Sequence, residues 1–204
     1  MLNNYLLADE LVEKGVLKTP LIIDAFKNID RADFVLEDFK KEAYEDYPLP
    51  IGYNVTISQP TTVAFMMELL ELKAGDMVLD VGSGSGFTTA LLSQIVGKQR
   101  IVLGVEIIPE LVEFGNKNLK KYPHLKAEIV LAKKEILGLP EKAPFDKILV
   151  SASANELPQE LINQLNIRGI LVIPIKNSIW KIDKISENKI KKQEFYGFSF
   201  VPLL

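Results

Sequence analysis

The sequence predicts an α/β fold, with a mostly parallel sheet between two layers of helices and a helical extension at the N-terminus. Three observations carry this prediction. From residue 77 onward, short aliphatic runs alternate with segments of helical period. A glycine-rich turn, "GSGSG" at 82–86, sits where the first of those strands feeds a helix. The second strand then ends in an acid, Glu106.

In chain order, the first 50 residues read as helical, with Leu7 and Leu11 four apart on one face. Thr19 followed by Pro20 reads as an N-cap with proline at the first helical position. "EDYPLPIGYN" (45–54) interrupts that pattern with two prolines and a glycine. From Thr61, the residues Val63, Met66, Met67 and Leu70 fall at i, i+3, i+4 and i+7, a buried helical stripe. Strands are then expected at 77–82, 100–106, 127–132, 146–153 and 169–175, and helices at 87–97, 109–122 and 157–165. Two weaker strands are expected around 178–185 and 194–201. Residues 1–204 read as a single domain, with 1–58 as extension and active-site loop and 59–204 as core. Right-handed crossovers would bring the C-terminal ends of the parallel strands to one edge, where open α/β sheets bind their ligands.

Composition narrows the function. The net charge is −3 and the pI about 5.4, so no basic excess points to nucleic acid. There is no cysteine, hence no disulfide and no thiolate chemistry. No charged-then-apolar leader or 18-residue apolar run is present, so a soluble, cytoplasmic protein is expected, without membrane association and as a monomer. The single histidine, His124, lies between a helix and a strand, which argues against a Ser-His-Asp hydrolase and a histidine-built metal site; no metal is expected.

The glycine spacing is G-x-G-x-G, preceded by Asp80. A dinucleotide fingerprint would need glycine at 87, which is Phe87, and no G-K-[ST] follows for a phosphate loop. Glu106, at the end of an apolar strand, is suited to a ribose diol, because an ionised carboxylate accepts two hydrogen bonds.

These features resemble the class I S-adenosylmethionine-dependent methyltransferases, whose fold is Rossmann-like, and more closely the protein-L-isoaspartate O-methyltransferases. The resemblance covers nearly the whole chain. It is carried by "RADFV", "YPLPIG", "TISQPTTVAFMMELL", "VLDVGSGSGFTTALL", "APFDKILVSAS", "LPQELINQL", "GILVIPI" and the terminal "FVPL". It implies S-adenosyl-L-methionine as cofactor and S-adenosyl-L-homocysteine as product. It further implies isoaspartyl-containing peptides or proteins as partners, methylated on a carboxylate as a step of protein repair. The cofactor would lie against Thr56, Ile57, Asp80, Gly82, Ser83, Gly84, Gly86, Glu106, Ile107 and Glu135, and Ser151 and Ala152 would help bind the substrate. Ser58 would face the reacting carboxylate.

Ser58 has a second reading as a helix cap. Proline disfavours helical backbone in the residue before it, which makes Gln59 the N-cap and leaves Ser58 one residue outside.

The sequence also departs from the family it resembles. The usual Gly-Asp-Gly after the third strand falls on Lys133, Lys134 and Glu135, so a donor, Lys134, stands where an acceptor for the adenine amino group is wanted, with Glu135 as the neighbouring acid. After the fifth strand, Lys176 replaces a glycine and Trp180 falls near the position of a glutamine, close to the expected cleft. Two rival readings therefore stand: a non-catalytic member acting as a binding protein, and a methyltransferase for another substrate such as RNA or a small acid.

Overall fold

The computed structural model describes residues 3–203. Helix α1 (Asn4–Glu13) starts where the Asn3 side chain accepts from the Leu6 amide, and it buries Leu7, Ala8 and Leu11. Helix α2 (Pro20–Asn28) has Thr19 at its N-cap and Pro20 at its first position, as the sequence predicts. Two 3₁₀ turns follow, at Arg31–Phe34 and Glu37–Glu42.

The interruption at 45–54 is more than a break. Strands β1 (Leu49–Gly52) and β2 (Val55–Ile57) pair as an antiparallel hairpin. Its two turn residues, Tyr53 and Asn54, have φ of 53° and 58°. Two consecutive positive φ values suit a tight turn between twisted strands. Helix α3 (Pro60–Leu70) has Gln59 at its N-cap, and Val63, Met66, Met67 and Leu70 are all buried.

The α/β core runs β3 (Val78–Val81), α4 (Phe87–Val96), β4 (Val102–Glu106), α5 (Pro109–Leu119), β5 (Ala127–Leu131), β6 (Phe145–Val150), α6 (Gln159–Asn163), β7 (Leu165–Ile175), β8 (Ser178–Ser186) and β9 (Lys189–Tyr196). The seven strands lie in the order β5-β4-β3-β6-β7-β8-β9. The first five in that row are parallel; β8 and β9 close the sheet antiparallel. Strand order reverses between β3 and β6, which opens the ligand-binding crevice of this sheet type.

Both faces of the sheet are apolar, as expected of parallel strands covered on two sides. Val78, Leu149, Ile170 and Val172 pack towards the N-terminal helices, α3 and α4. Leu79, Val81, Ile148, Val150, Leu171 and Ile173 pack on the opposite face with α6. The first of these clusters also contains Leu7, Leu11, Ile22, Phe26 and Phe34, so the extension and the core share buried surface.

The structure corrects three expectations. Helix α6 stops at Asn163 and β7 begins at Leu165, four residues before the expected start. Gln164 imposes this: its side chain accepts from the Leu139 amide and donates to the carbonyls of Leu137 and Glu160, anchoring the chain at that point. The last strand occupies 189–196, not 194–201, because β8 and β9 form a hairpin about Glu187–Asn188. After Gly197 the chain leaves the sheet, and Val201–Leu203 return alongside Ser153. Finally, Trp180 pairs with Ile173 within the sheet and packs with the α6-side cluster, so it does not line the cleft.

Candidate active site

The C-terminal ends of β3, β4, β5 and β6 open into one cavity of about 540 Å³. Its floor is the turn after β3. Gly84 has a φ of 50°, which favours glycine, and a Cβ there would lie 3.2 Å from Ile51 Cδ1 of the hairpin, so a larger residue would be strained and would press on the hairpin. The Ser83 hydroxyl donates to the carbonyls of Asp80 and Val105, which ties the turn to β4.

Glu106 organises the next part of the wall. It is buried, and its carboxylate accepts from Gly84 N at 2.9 Å, Ile107 N at 2.8 Å and Ile108 N at 3.1 Å. Three amides thus fix the carboxylate at the end of β4, while Oε2, which accepts only from Gly84, retains a lone pair for a further donor. Beyond it, residues 132–138 after β5 line the cavity, followed by Ser151 and Ala152 after β6. Residues 55–58 of the hairpin arm and Val201–Leu203 complete the wall.

Of the residues singled out from sequence, Thr56, Ile57, Ser58, Gly82, Ser83, Gly84, Glu106, Ile107, Glu135, Ser151 and Ala152 all line this cavity. Asp80 and Gly86 do not. Gly86, with a φ of 85°, is the N-cap of α4, and a Cβ there would come within 3.1 Å of the Gly115 carbonyl. Its role is to let α4 pack against α5. Asp80 lies behind the turn, fully buried. Its Oδ2 accepts from the hydroxyls of Thr88 at 2.7 Å and Thr89 at 2.6 Å, and its Oδ1 has no partner. Burial pushes its carboxyl up to about 6, against the pull of the two threonine hydroxyls; the nearby Glu106 adds to the rise.

The Ser58 hydroxyl is not spent on capping, since Gln59 occupies the N-cap of α3. Lys134 lines the cavity and makes no ion pair among the described residues, whereas Lys133 is bound to Glu141 at 2.8 Å. Glu135 has a φ of 68° and Lys176 one of 54°, so two of the three places where the resemblance expects glycine have a left-handed backbone under longer side chains. Sequence reasoning missed Ile51 and Val55 as lining residues, because the hairpin that carries them was read as a break.

This geometry has close counterparts among known proteins. A model of the family Protein-L-isoaspartate(D-aspartate) O-methyltransferase (PCMT) matches residues 2–204. The Protein-L-isoaspartate O-methyltransferase of Methanopyrus kandleri is 38% identical over 97% of this chain and 89% of its own length. Protein-L-isoaspartate O-methyltransferase 2 of Archaeoglobus fulgidus is 42% identical over 89% of this chain and 84% of its own. Among solved structures, a chain from Plasmodium falciparum described as a protein-L-isoaspartate O-methyltransferase, in complex with S-adenosyl-L-homocysteine, superposes with a TM-score of 0.89 at 30% identity, covering 100% of this chain and 99% of its own. The sheet and its glycine turn have the class I methyltransferase fold. Within that class, the chain belongs to the protein-L-isoaspartate O-methyltransferase family.

Proposed function

We propose that this protein transfers the methyl group of S-adenosylmethionine to the free carboxylate of isoaspartyl residues in damaged proteins. The observation that carries the reading is one cavity shared by the glycine turn, the Glu106 carboxylate and Ser58. The donor set fits the cofactor. Glu106 offers an acceptor for a ribose diol, the turn at 82–84 leaves room for a chain lying against backbone, and Ile107, Ile108 and Leu137 give apolar contact for a base. Bound there, the cofactor would supply an electrophilic methyl group for a carboxylate oxygen, with sulfur as the leaving atom that takes the electron pair.

The residues of the chain have modest tasks in this chemistry. A carboxylate with an ordinary pKa near 4 is already ionised at neutral pH, so no general base is required. Ser58 orients it by hydrogen bonding, and the backbone at Ser151 and Ala152 holds the peptide beside it. The hairpin and the terminal Val201–Leu203 line the same cavity, which supports their enclosing the reacting atoms. Holding nucleophile and methyl in line supplies the rate enhancement. The same reading takes the enzyme to be a cytoplasmic monomer, in keeping with a chain that has no cysteine; among the described residues, no helix is long and apolar enough to cross a membrane.

The deciding experiment combines calorimetric titration with S-adenosylhomocysteine and methyl transfer to an isoaspartyl peptide; binding without turnover would favour the binding-protein reading. Glu106→Ala should weaken S-adenosylhomocysteine by about 1.5–3 kcal/mol, as for a hydrogen bond to a charged acceptor. Unchanged affinity in the folded variant would remove Glu106 from the ribose site. Lys134→Asp should tighten binding, because it exchanges a donor for an acceptor at the end of the cavity beyond the ribose carboxylate. Titration of that variant alongside the parent checks this, and equal or weaker binding refutes it.

A further inference from the structure

Arg31 heads the fully buried side chains of the protein by volume, and among the described residues it has no carboxylate partner within salt-bridge distance. Asp46, whose charge acts on Arg31, is committed elsewhere: its carboxylate accepts from Thr61 N, Thr61 Oγ1 and Lys14 Nζ. Its two terminal nitrogens donate to backbone carbonyls alone, and its Nε is buried without a partner. Nη1 donates to Ala43 O at 2.7 Å and Glu45 O at 3.4 Å. Nη2 donates to Tyr47 O and Ser58 O, each at 3.1 Å.

The last pair is informative. Tyr47 lies just before β1 and Ser58 just after β2, so a single nitrogen ties both ends of the hairpin. A second tie runs beside it, from Gln59 Nε2 to Asp46 O at 2.9 Å. The hairpin so closed rests on the glycine turn through Ile51 and presents Thr56, Ile57 and Ser58 to the cavity. A buried cation without an ionic partner is an expensive way to stabilise a fold, since an apolar side chain of similar size would avoid the desolvation cost. What an apolar side chain cannot do is hold two carbonyls at fixed separation, which the planar fork of arginine does.

We infer that Arg31 is a positioning residue for methyl transfer, whose guanidinium spans the Tyr47 and Ser58 carbonyls and thereby holds Ser58 against the reacting carboxylate. The inference rests on the function proposed above. It assigns Arg31 no contact with substrate or cofactor; it acts through the hairpin.

The test compares the full-length protein with Arg31→Lys and with Leu11→Ala, a core variant in α1 that lowers stability without touching the cavity. Lysine keeps the charge but offers its donors from one compact ammonium on a flexible stem. Below the unfolding temperature of all three, Arg31→Lys should lose about tenfold or more in kcat on an isoaspartyl peptide, since a nucleophile misplaced by an ångström can cost about 100-fold. Its affinity for S-adenosylhomocysteine should change far less, its amides at 49–57 should exchange faster, and Leu11→Ala should keep its turnover. A rate for Arg31→Lys equal to that of Leu11→Ala overturns the proposal. If the lysine variant fails to fold, nitrogen-15 spectra of the unmodified protein decide: separate, slowly exchanging Nη1 and Nη2 signals are expected for Arg31, and one averaged signal overturns the clamp. Failure of the functional reading looks different, because the unmodified protein would then not methylate the peptide, whether or not it binds S-adenosylhomocysteine.

Discussion

Replacing Ser58 by alanine is expected to lower methyl transfer to an isoaspartyl peptide by about 100-fold while leaving the fold and the cofactor affinity nearly intact. The size follows from geometry: a carboxylate needs no activation, so its rate depends on being held in line, and a misplacement of about 1 Å can cost two orders of magnitude. The sparing of stability follows from the start of α3. A serine that caps a helix stabilises it by about 0.5–2 kcal/mol. Here Gln59 holds the N-cap position and Pro60 the first helical position, so the Ser58 hydroxyl is free of that task. The Ser58 carbonyl is the part of the residue used structurally, by Arg31, and alanine retains it. Turnover and thermal unfolding measured on the same variant separate the two roles. A loss of about 1 kcal/mol in stability with the rate spared would return Ser58 to capping; unchanged turnover and unchanged stability would remove it from both.

The parts of the fold that were legible in the sequence are those whose local pattern and tertiary fate agree. Strands β3, β4 and β6 are short apolar runs bounded by turn residues, and they become the buried centre of a parallel sheet. The glycine turn is readable because its spacing by itself excludes other nucleotide loops. The hairpin at 49–57 was not, because proline and glycine are read as breakers, and Tyr53 at a φ of 53° is an unusual occupant of a hairpin turn. The early start of β7 was hidden for another reason. Leu157 and Leu161 suggest a helix continuing to 165, but Gln164 is drawn into contacts with residues 137–139 that are far away in sequence. Arg31 shows the same limit at the site: "RADFV" marks the segment, while the four carbonyls that give the arginine its meaning lie 12–27 residues downstream.

The second large effect concerns Asp80, the acid before the glycine turn. Wild-type protein should lose about 2 kcal/mol of stability relative to Asp80→Asn as pH rises from about 4 to about 6.5. The sign follows from its raised pKa. An acid whose folded-state pKa lies above its unfolded value binds protons more tightly when folded, so ionisation opposes folding. For Asp80 the rise is from 3.8 to about 6, caused first by complete burial. Well below pH 3.8 the group is protonated in both states and the penalty is absent; it accumulates mainly between 3.8 and about 6 and is fully present well above that window. Asparagine keeps an oxygen to accept from Thr88 and Thr89 but cannot ionise. Its amide nitrogen takes the place of the unpartnered Oδ1, at a cost that does not vary with pH, so the informative quantity is the change in the difference between the two proteins, not its level. Urea unfolding of both at pH 4, 5, 6 and 7 gives that change, with every other titrating group common to the pair. Parallel stability curves across the window would mean that the carboxylate is ionised at no cost in the folded protein, and that Asp80 has a compensating partner behind the glycine turn.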